Sequence, residues 1–173
     1  MKQLILAIDI QKEFITEGRQ YHIRGIEPSL INAKKIISHA RKNNIPLWFM
    51  QHQQDNRCFI KNDPLSALID GFEPKENELL FTKSMYSCFS SNEFSEKLAE
   101  ANPEEIIIIG YGSSMCCLCT TIEGIHRGYR FTLIEDATAS ANFPHANEEE
   151  MHRSAYHILR QYAKVIKTAD LFT

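Results

Sequence analysis

Short apolar runs alternate with amphipathic segments along the chain. Leu4–Ile8 and Ile106–Ile109 are continuously apolar rather than alternating, which indicates strands that are covered on both faces, as in a parallel sheet. The other runs with the length and composition of strands are Leu47–Met50, Leu79–Phe81, Phe131–Ile134 and Val165–Ile166. The pattern therefore predicts about six strands, most of them parallel.

Between the strands, apolar residues recur at helical spacing. A first helix opens at Pro28 and Ser29, a second begins at Ser91 or Asn92, and a third ends near Gly128. The predicted inner face of the first helix is Leu30, Ala33, Ile36, Ile37 and Ala40. The predicted inner face of the second helix is Phe94, Leu98 and Ala101. Asn147 is predicted to cap the last helix, whose expected buried positions are Met151, Ala155, Ile158, Leu159 and Tyr162.

Alternating strands and helices require right-handed crossovers that cover both faces of the sheet. The expected fold is a three-layer α/β/α, Rossmann-like domain that spans residues 1–173. Residues 52–78 interrupt this alternation with turn signals and no sustained period. A loop of this length usually covers a functional site.

Composition narrows the class of protein. The 19 basic and 22 acidic side chains give a net charge of −3 without a run of like charge, so a nucleic-acid partner is not expected. No apolar run approaches a membrane span, and Met1–Gln3 lacks a leader pattern, so we expect no membrane partner. Five cysteines without framework spacing favour free thiols and a reducing, cytoplasmic compartment.

Three reactive residues follow apolar runs at the edge where parallel sheets bind ligands. Asp9 follows the first strand, Lys83 follows the third, and Cys116 follows the fourth across a five-residue turn. In the first turn of a helix, and beside Lys83, Cys116 is expected to favour its thiolate. The backbone N–H groups at Gly112 and Cys116 could hold an oxyanion, and Asp9 could carry the proton. These residue types together predict an acyl-transfer site.

Two other motifs, one typical of dinucleotide binding and one typical of zinc binding, are each incomplete in this sequence. Gly110–Gly112 imitates the start of a dinucleotide-binding fingerprint, but Met115 stands where the third glycine is needed, so no organic cofactor is expected. Cys116 and Cys119 have the spacing of half a zinc site, but no second pair of ligands follows. Cys117 and Cys119 are instead expected to be small buried hydrophobes.

Among the histidines, His52 is the candidate closest to the predicted site. His126 lies ten residues beyond Cys116 on the same predicted helix, about 15 Å away along the axis, and cannot reach it. His52 follows the second strand at the carboxyl edge, where a role in lining the pocket and a role in anchoring the turn are both open.

Four segments, in this order, resemble those of one family. Leu6–Phe14 resembles an opening strand with the signature D-x-Q-x-x-F, and Lys83–Phe89 resembles a K-x-x-x-S-A-F segment. Ile109–Cys116 is similar to a G-x-x-T-[DE]-x-C turn, and Gly128–Ser140 is similar to a tail that ends D-A-x-A-[SD]. The chain thereby resembles the isochorismatase-like superfamily of cysteine hydrolases, which includes nicotinamidases and related amidases.

The resemblance implies roles for particular residues. It makes Asp9 the general base and acid, Lys83 the stabiliser of the thiolate and Cys116 the nucleophile. It also implies a cis peptide bond between Tyr111 and Gly112 and a homo-oligomer, either a dimer or a larger assembly. Nicotinamidases of this superfamily bind a metal through an Asp and two His after the second strand. Residues 51–55 contain one His here, so we expect no metal.

The expected reaction is hydrolysis of a small-molecule amide, or of a related C–N bond, through a thioester on Cys116. The alternatives are a vinyl-ether hydrolase of the isochorismate type, which needs no nucleophile, and a non-catalytic scaffold that has kept the fold. Ser113 and Ser114 depart from the Thr and acidic residue of the resembled turn. The residues expected to bind substrate are Gln11, Phe14, His52, Tyr86, Phe89 and Tyr111, with Trp48 and Phe143 as further aromatic candidates.

Overall fold

A six-stranded parallel sheet forms the middle layer of the molecule. The structure, a computed structural model, describes residues 2–172, so Met1 and Thr173 of the predicted domain lie outside it. The strands are β1 (Gln3–Ile8), β2 (Leu47–His52), β3 (Leu79–Lys83), β4 (Glu105–Tyr111), β5 (Phe131–Ala139) and β6 (Lys164–Ile166). They pair in the order β3-β2-β1-β4-β5-β6. The strand order therefore reverses between β1 and β4, and such a switch point is where open α/β sheets bind ligands.

Helices cover both faces of this sheet. They are α1 (Glu27–Lys42), α2 (Asn92–Ala101), α3 (Leu118–His126), α4 (Glu148–Leu159) and α5 (Thr168–Leu171). One apolar cluster joins the sheet to α1 and α5, and a second joins it to α2, α3 and α4. The predicted three-layer α/β fold is confirmed. No helix within residues 2–172 has both the length and the apolar character needed to cross a membrane.

The central strand explains why its sequence is continuously apolar. Ile5 and Ala7 belong to the cluster beneath α1, whereas Leu4, Leu6 and Ile8 belong to the opposite cluster. Successive side chains of a strand point to opposite faces, and both faces of β1 are covered. An alternating pattern would have left one face polar and unable to pack against a helix.

Helix α4 differs from its prediction in the residues that it buries. Asn147 caps it in a capping box with Glu150, as expected of the cap residue. Ile158 and Tyr162, which were predicted to be buried, are 42% and 50% exposed. Tyr156 is buried instead, because the face that meets the sheet carries Ala155, Tyr156 and Leu159, and because Tyr162 lies beyond the end of the helix.

Four strands run past the carboxyl ends that their apolar residues predict. β2 continues to His52, β3 to Lys83, β4 to Tyr111 and β5 to Ala139. His52 and Lys83 are paired at the carboxyl ends of β2 and β3. A parallel ladder is built from backbone hydrogen bonds, so polar side chains can extend it. His52 and Lys83, which were predicted to follow strands, are therefore the last residues of β2 and β3.

Gly124 is the point of closest approach between α3 and the sheet. A Cβ atom at this position would overlap the rings of Phe131 and Phe89. Overpacking of a core costs about 1–3 kcal/mol, whereas alanine gains about 1 kcal/mol over glycine in a helix. Because two rings would have to move, we expect the cost to exceed the gain, and Gly124→Ala to lower the free energy of unfolding by roughly 1 kcal/mol in urea denaturation.

Gly25→Ala is the matched control for this substitution, because its Cβ would meet no atom closer than 3.9 Å. It should unfold at nearly the same urea concentration as the wild type. A Gly124→Ala protein that is as stable as this control would show that α3 can move away from the sheet.

Candidate active site

Asp9, Lys83 and Cys116 converge at the carboxyl edge of the sheet. Asp9 directly follows β1, Lys83 ends β3, and Cys116 lies in a π-helical turn, Ser113–Cys117, between β4 and α3. Lys83 Nζ is 2.8 Å from Asp9 Oδ2 and 3.3 Å from Cys116 Sγ. The residues are 0%, 3% and 7% exposed, in the order Asp9, Lys83 and Cys116. The structure thus brings all three predicted catalytic residues into one buried group.

The backbone around Asp9 holds its carboxylate in place. Asp9 has a left-handed conformation with φ of 52°, which Asp and Asn tolerate better than most residues. Its N–H donates to the carbonyl of Met50 at 2.8 Å, and its carbonyl accepts from the N–H of Gln11 at 2.8 Å. Asp9 is therefore tied to β2 at the point where the chain leaves β1.

Burial controls the protonation of Cys116. It raises the pKa of the Cys116 thiol well above its ordinary value, the Asp9 carboxylate raises it further, and the Lys83 ammonium acts in the opposite direction. The direction of this pKa shift runs against the thiolate expected at a helix N-terminus, because the loss of hydration opposes the nearby positive charge.

Lys83 keeps its charge in this environment. Burial lowers the pKa of Lys83, but the charge of the Asp9 carboxylate offsets this effect, and the pKa lies above its ordinary value. The site therefore contains an ammonium group within hydrogen-bonding distance of the sulfur atom. Negative charge that develops on the sulfur would be stabilised at once.

The turn that carries Cys116 is anchored on both sides. The Tyr111–Gly112 peptide bond is cis. Ser113 Oγ lies 2.8 Å from His152 Nδ1 on α4, and Ser114 Oγ lies 2.5 Å from Ser140 Oγ just after β5. The two serines that depart from the resembled family pattern thus still bind the turn to its neighbours through hydrogen bonds.

A cavity of about 190 Å³ opens onto Asp9, Gly112 and Cys116. Of the predicted substrate-binding residues, Phe14, His52 and Tyr86 line it. The remaining wall residues, which the sequence analysis did not single out for this role, are Tyr21, Gln54, Phe59, Ser84, Met85, Met115, Ser140 and Ala141. Gln54 and Phe59 belong to the 52–78 loop, so this loop covers the site as expected.

Most of these additional residues lie in segments that follow a strand. Tyr21 lies between β1 and α1, Phe59 follows β2, and Met85 follows β3. The rule that ligands bind beyond the carboxyl ends of parallel strands could have identified these segments. It could not have identified the individual side chains, because irregular segments have no period from which to infer the inward-facing residues.

Tyr111 and Phe89 do not line the cavity, and the predictions for both are wrong. Tyr111 is fully buried on the face of β4 that also carries Ile107 and Ile109, and its hydroxyl lies 3.0 Å from Ser29 Oγ on α1. The two-residue period of the strand sends its side chain to the core rather than to the site. Phe89 packs in the opposite cluster, with its ring centroid 5.4 Å from that of Phe94.

Gln11, Trp48 and Phe143 also lie outside the cavity wall. The Gln11 amide is fully buried and binds backbone groups of His52 and Ser66. Trp48 packs within the second apolar cluster, and Phe143 packs against Tyr21, with ring centroids 6.5 Å apart. The prediction that Gln11 contacts substrate is therefore corrected to a role in holding β2.

Within residues 2–172, one group of side chains has donor atoms close enough together to bind a metal ion. The donor atoms of Asp9, His52 and Cys116 lie within 4.8 Å of one another. Lys83 Nζ, however, lies 2.8 Å from Asp9 Oδ2, 2.9 Å from His52 Nδ1 and 3.3 Å from Cys116 Sγ. The charged ammonium takes the position that a metal ion would need. These residues therefore do not fit a resident metal while Lys83 is protonated.

Comparison with known proteins agrees with this geometry. The isochorismatase domain matches residues 3–170. The chain is 26% identical over 179 residues to the uncharacterized isochorismatase family protein YddQ of Bacillus subtilis, covering 99% of each chain. It is 25% identical to Nicotinamidase 3 of Arabidopsis thaliana, covering 87% of this chain and 76% of the relative.

Comparison with solved structures points to the same family. A crystal structure of an isochorismatase from Pseudomonas putida matches 98% of this chain and 89% of its own, with a TM-score of 0.89 and 26% identity. Because the domain match spans nearly the whole chain, the protein belongs to the isochorismatase family and is a hydrolase.

Proposed function

We propose that the protein hydrolyses a small uncharged amide through a thioester on Cys116. The observation that carries this proposal is the Lys83 ammonium, which bridges the Asp9 carboxylate at 2.8 Å and the Cys116 sulfur at 3.3 Å beside a cavity. The naming of one relative as a nicotinamidase supports amide chemistry. A scaffold without activity would have no need to bury two charges beside a thiol.

The first half of the reaction forms the thioester. The sulfur of Cys116 attacks the amide carbonyl carbon while Asp9 accepts the thiol proton, and Lys83 stabilises the negative charge on sulfur until the C–S bond forms. The carbonyl oxygen becomes an oxyanion, for which the backbone N–H groups at Gly112 and Cys116 are the proposed donors. Asp9 then gives its proton to the leaving nitrogen, the C–N bond breaks, and the amine or ammonia leaves.

The second half regenerates the enzyme. Asp9 accepts a proton from a water molecule, whose oxygen attacks the thioester carbonyl. The C–S bond breaks, the acid product leaves, and Asp9 returns its proton to the Cys116 sulfur. The net reaction converts one amide and one water into one acid and one amine or ammonia. The same three side chains therefore serve both halves, and no further reactant is required.

The lining of the cavity favours an uncharged substrate. Its walls are largely apolar, with the rings of Phe14, Tyr21 and Phe59 among them, and its polar groups include Gln54 and Ser84. Among the described residues that line it, none is Arg or Lys. An anionic substrate would lose its hydration there without gaining a counter-charge. This argument disfavours the isochorismate-type alternative, whose substrate is anionic, and favours an amide with a flat apolar acyl group.

The decisive test is the loss of the nucleophile. Cys116→Ala should lower the release of ammonia from a panel of small neutral amides by about 10⁴-fold or more, as expected when a covalent nucleophile is removed. Cys119→Ala is the matched control, because Cys119 lies in the same segment but does not line the cavity. Turnover by Cys116→Ala within about tenfold of the wild type would contradict covalent catalysis. Faster turnover of amides that carry a carboxylate would contradict the uncharged substrate.

Asp9→Asn should abolish turnover while preserving the backbone conformation. Asn tolerates the positive φ of this position, but its amide cannot accept the thiol proton, so we expect a loss of about 10²–10⁴-fold in kcat. The substitution also leaves the buried ammonium of Lys83 without its counter-charge, so thermal unfolding should occur at a lower temperature. Asp9→Asn activity within about tenfold of the wild type would remove Asp9 from the mechanism.

Chelation of metals should leave the activity unchanged. The donor atoms near Cys116 already surround the Lys83 ammonium, so no resident cation is needed to stabilise the sulfur. We expect the same initial rate before and after dialysis against EDTA, measured on the amide with the highest turnover. A loss of activity that zinc, iron or manganese restores would contradict this expectation and would require Lys83 to release its contacts.

A further inference from the structure

The imidazole of His52 makes a contact that the proposed mechanism does not use. His52 Nδ1 lies 2.9 Å from Lys83 Nζ. An ammonium group has no acceptor, so Lys83 donates and His52 Nδ1 accepts, with the imidazole proton on Nε2. Burial lowers the pKa of His52, and the charge of Lys83 lowers it further, against an opposing effect of Asp9. The neutral imidazole that this hydrogen bond requires is thus the favoured form at neutral pH.

Each of the three N–H bonds of the Lys83 ammonium has one hydrogen-bond acceptor. The acceptors are His52 Nδ1 at 2.9 Å, the Met85 carbonyl at 3.2 Å and Cys116 Sγ at 3.3 Å. Asp9 Oδ2, at 2.8 Å from Nζ, forms an ion pair without hydrogen-bond geometry. The hydrogen bonds to His52 and to the Met85 carbonyl therefore set the direction of the third N–H, which points to the Cys116 sulfur.

His52 is itself held from two sides. Its N–H donates to Gln11 Oε1 at 2.8 Å, and its carbonyl accepts from Gln11 Nε2 at 2.9 Å. Gln11 Nε2 also donates to the carbonyl of Ser66 at 2.6 Å. The ring of Phe59 meets the imidazole edge-on, with centroids 5.2 Å apart. The position of His52 Nδ1 is therefore determined by packing and by buried hydrogen bonds.

We propose that His52 is a positioning residue that directs the Lys83 ammonium towards the Cys116 sulfur, and that Gln11 fixes His52 for this purpose. The inference builds on the proposed function, in which Lys83 stabilises negative charge on sulfur. Without the acceptor on His52, a buried N–H of Lys83 would lack a partner, and the ammonium would turn away from the sulfur to regain one. The thiolate of Cys116 would then be harder to form.

His52 also lines the cavity, so a direct contact between its Nε2–H and the substrate is the competing role. The two roles use different atoms of one ring. In His52→Asn the side-chain amide lies where Nδ1 was, whereas in His52→Gln it reaches the position of Nε2. The pair therefore separates positioning of Lys83, which Asn preserves, from contact with the substrate, which Gln preserves.

The measurement is the rate at which iodoacetamide alkylates Cys116 at pH 8 in the absence of substrate. Fragmentation mass spectrometry would distinguish Cys116 from the partly exposed Cys119, which serves as an internal control. We expect His52→Gln to slow the alkylation of Cys116 about tenfold, which corresponds to a rise of about one unit in thiol pKa. His52→Asn should remain within about threefold of the wild type, and labelling of Cys119 should not change.

Two results would overturn the proposal. One is alkylation of Cys116 in His52→Gln at the wild-type rate, and the other is an equal loss in both variants. Gln11→Ala, which keeps the imidazole but frees its backbone, should slow alkylation of Cys116 several-fold, and it decides the question if His52→Gln does not fold. Because alkylation needs no substrate, this result is independent of whether Cys116→Ala abolishes amide turnover.

Discussion

The ion pair between Asp9 and Lys83 is the interaction on which the rest of the site depends. The two side chains lie 2.8 Å apart and are almost completely buried. Either charge alone would cost several kcal/mol at this depth, so each residue is tolerable only because the other is present. The pair also joins the end of β1 to the end of β3 across the intervening β2. It therefore constrains the distance between the ends of two strands that do not share backbone hydrogen bonds.

This arrangement gives the hydrolase a particular way to activate its nucleophile. Burial and the Asp9 carboxylate raise the pKa of the Cys116 thiol, while the Lys83 ammonium lies 3.3 Å from the sulfur. The proposed reaction therefore transfers the thiol proton to Asp9 and forms the C–S bond beside one cavity. Stabilisation of this kind acts on the transition state more than on the resting enzyme. A buried neutral thiol is also less exposed to oxidation than a free thiolate.

The polar groups that surround Asp9, Lys83 and Cys116 hold these three side chains in place. Gln11 and His52 connect Lys83 to the backbone of β2 and to the 52–78 loop. Ser113 and Ser114 connect the turn of Cys116 to α4 and to the end of β5. Each reactive side chain is thus held by groups from another element, and such support preserves the geometry of a site.

The sequence by itself determined the fold class, because continuously apolar strands such as Leu4–Ile8 can be buried only between two layers of helices. It also located Asp9, Lys83 and Cys116 at one edge, since the carboxyl ends of parallel strands share that edge. Only the tertiary structure decided that Tyr111 enters the core and that Tyr21 and Phe59 form the cavity wall. It also decided that burial raises the pKa of Cys116. Local patterns do not record which side chain of a loop points inwards, and a pKa depends on burial and on charges from distant parts of the chain.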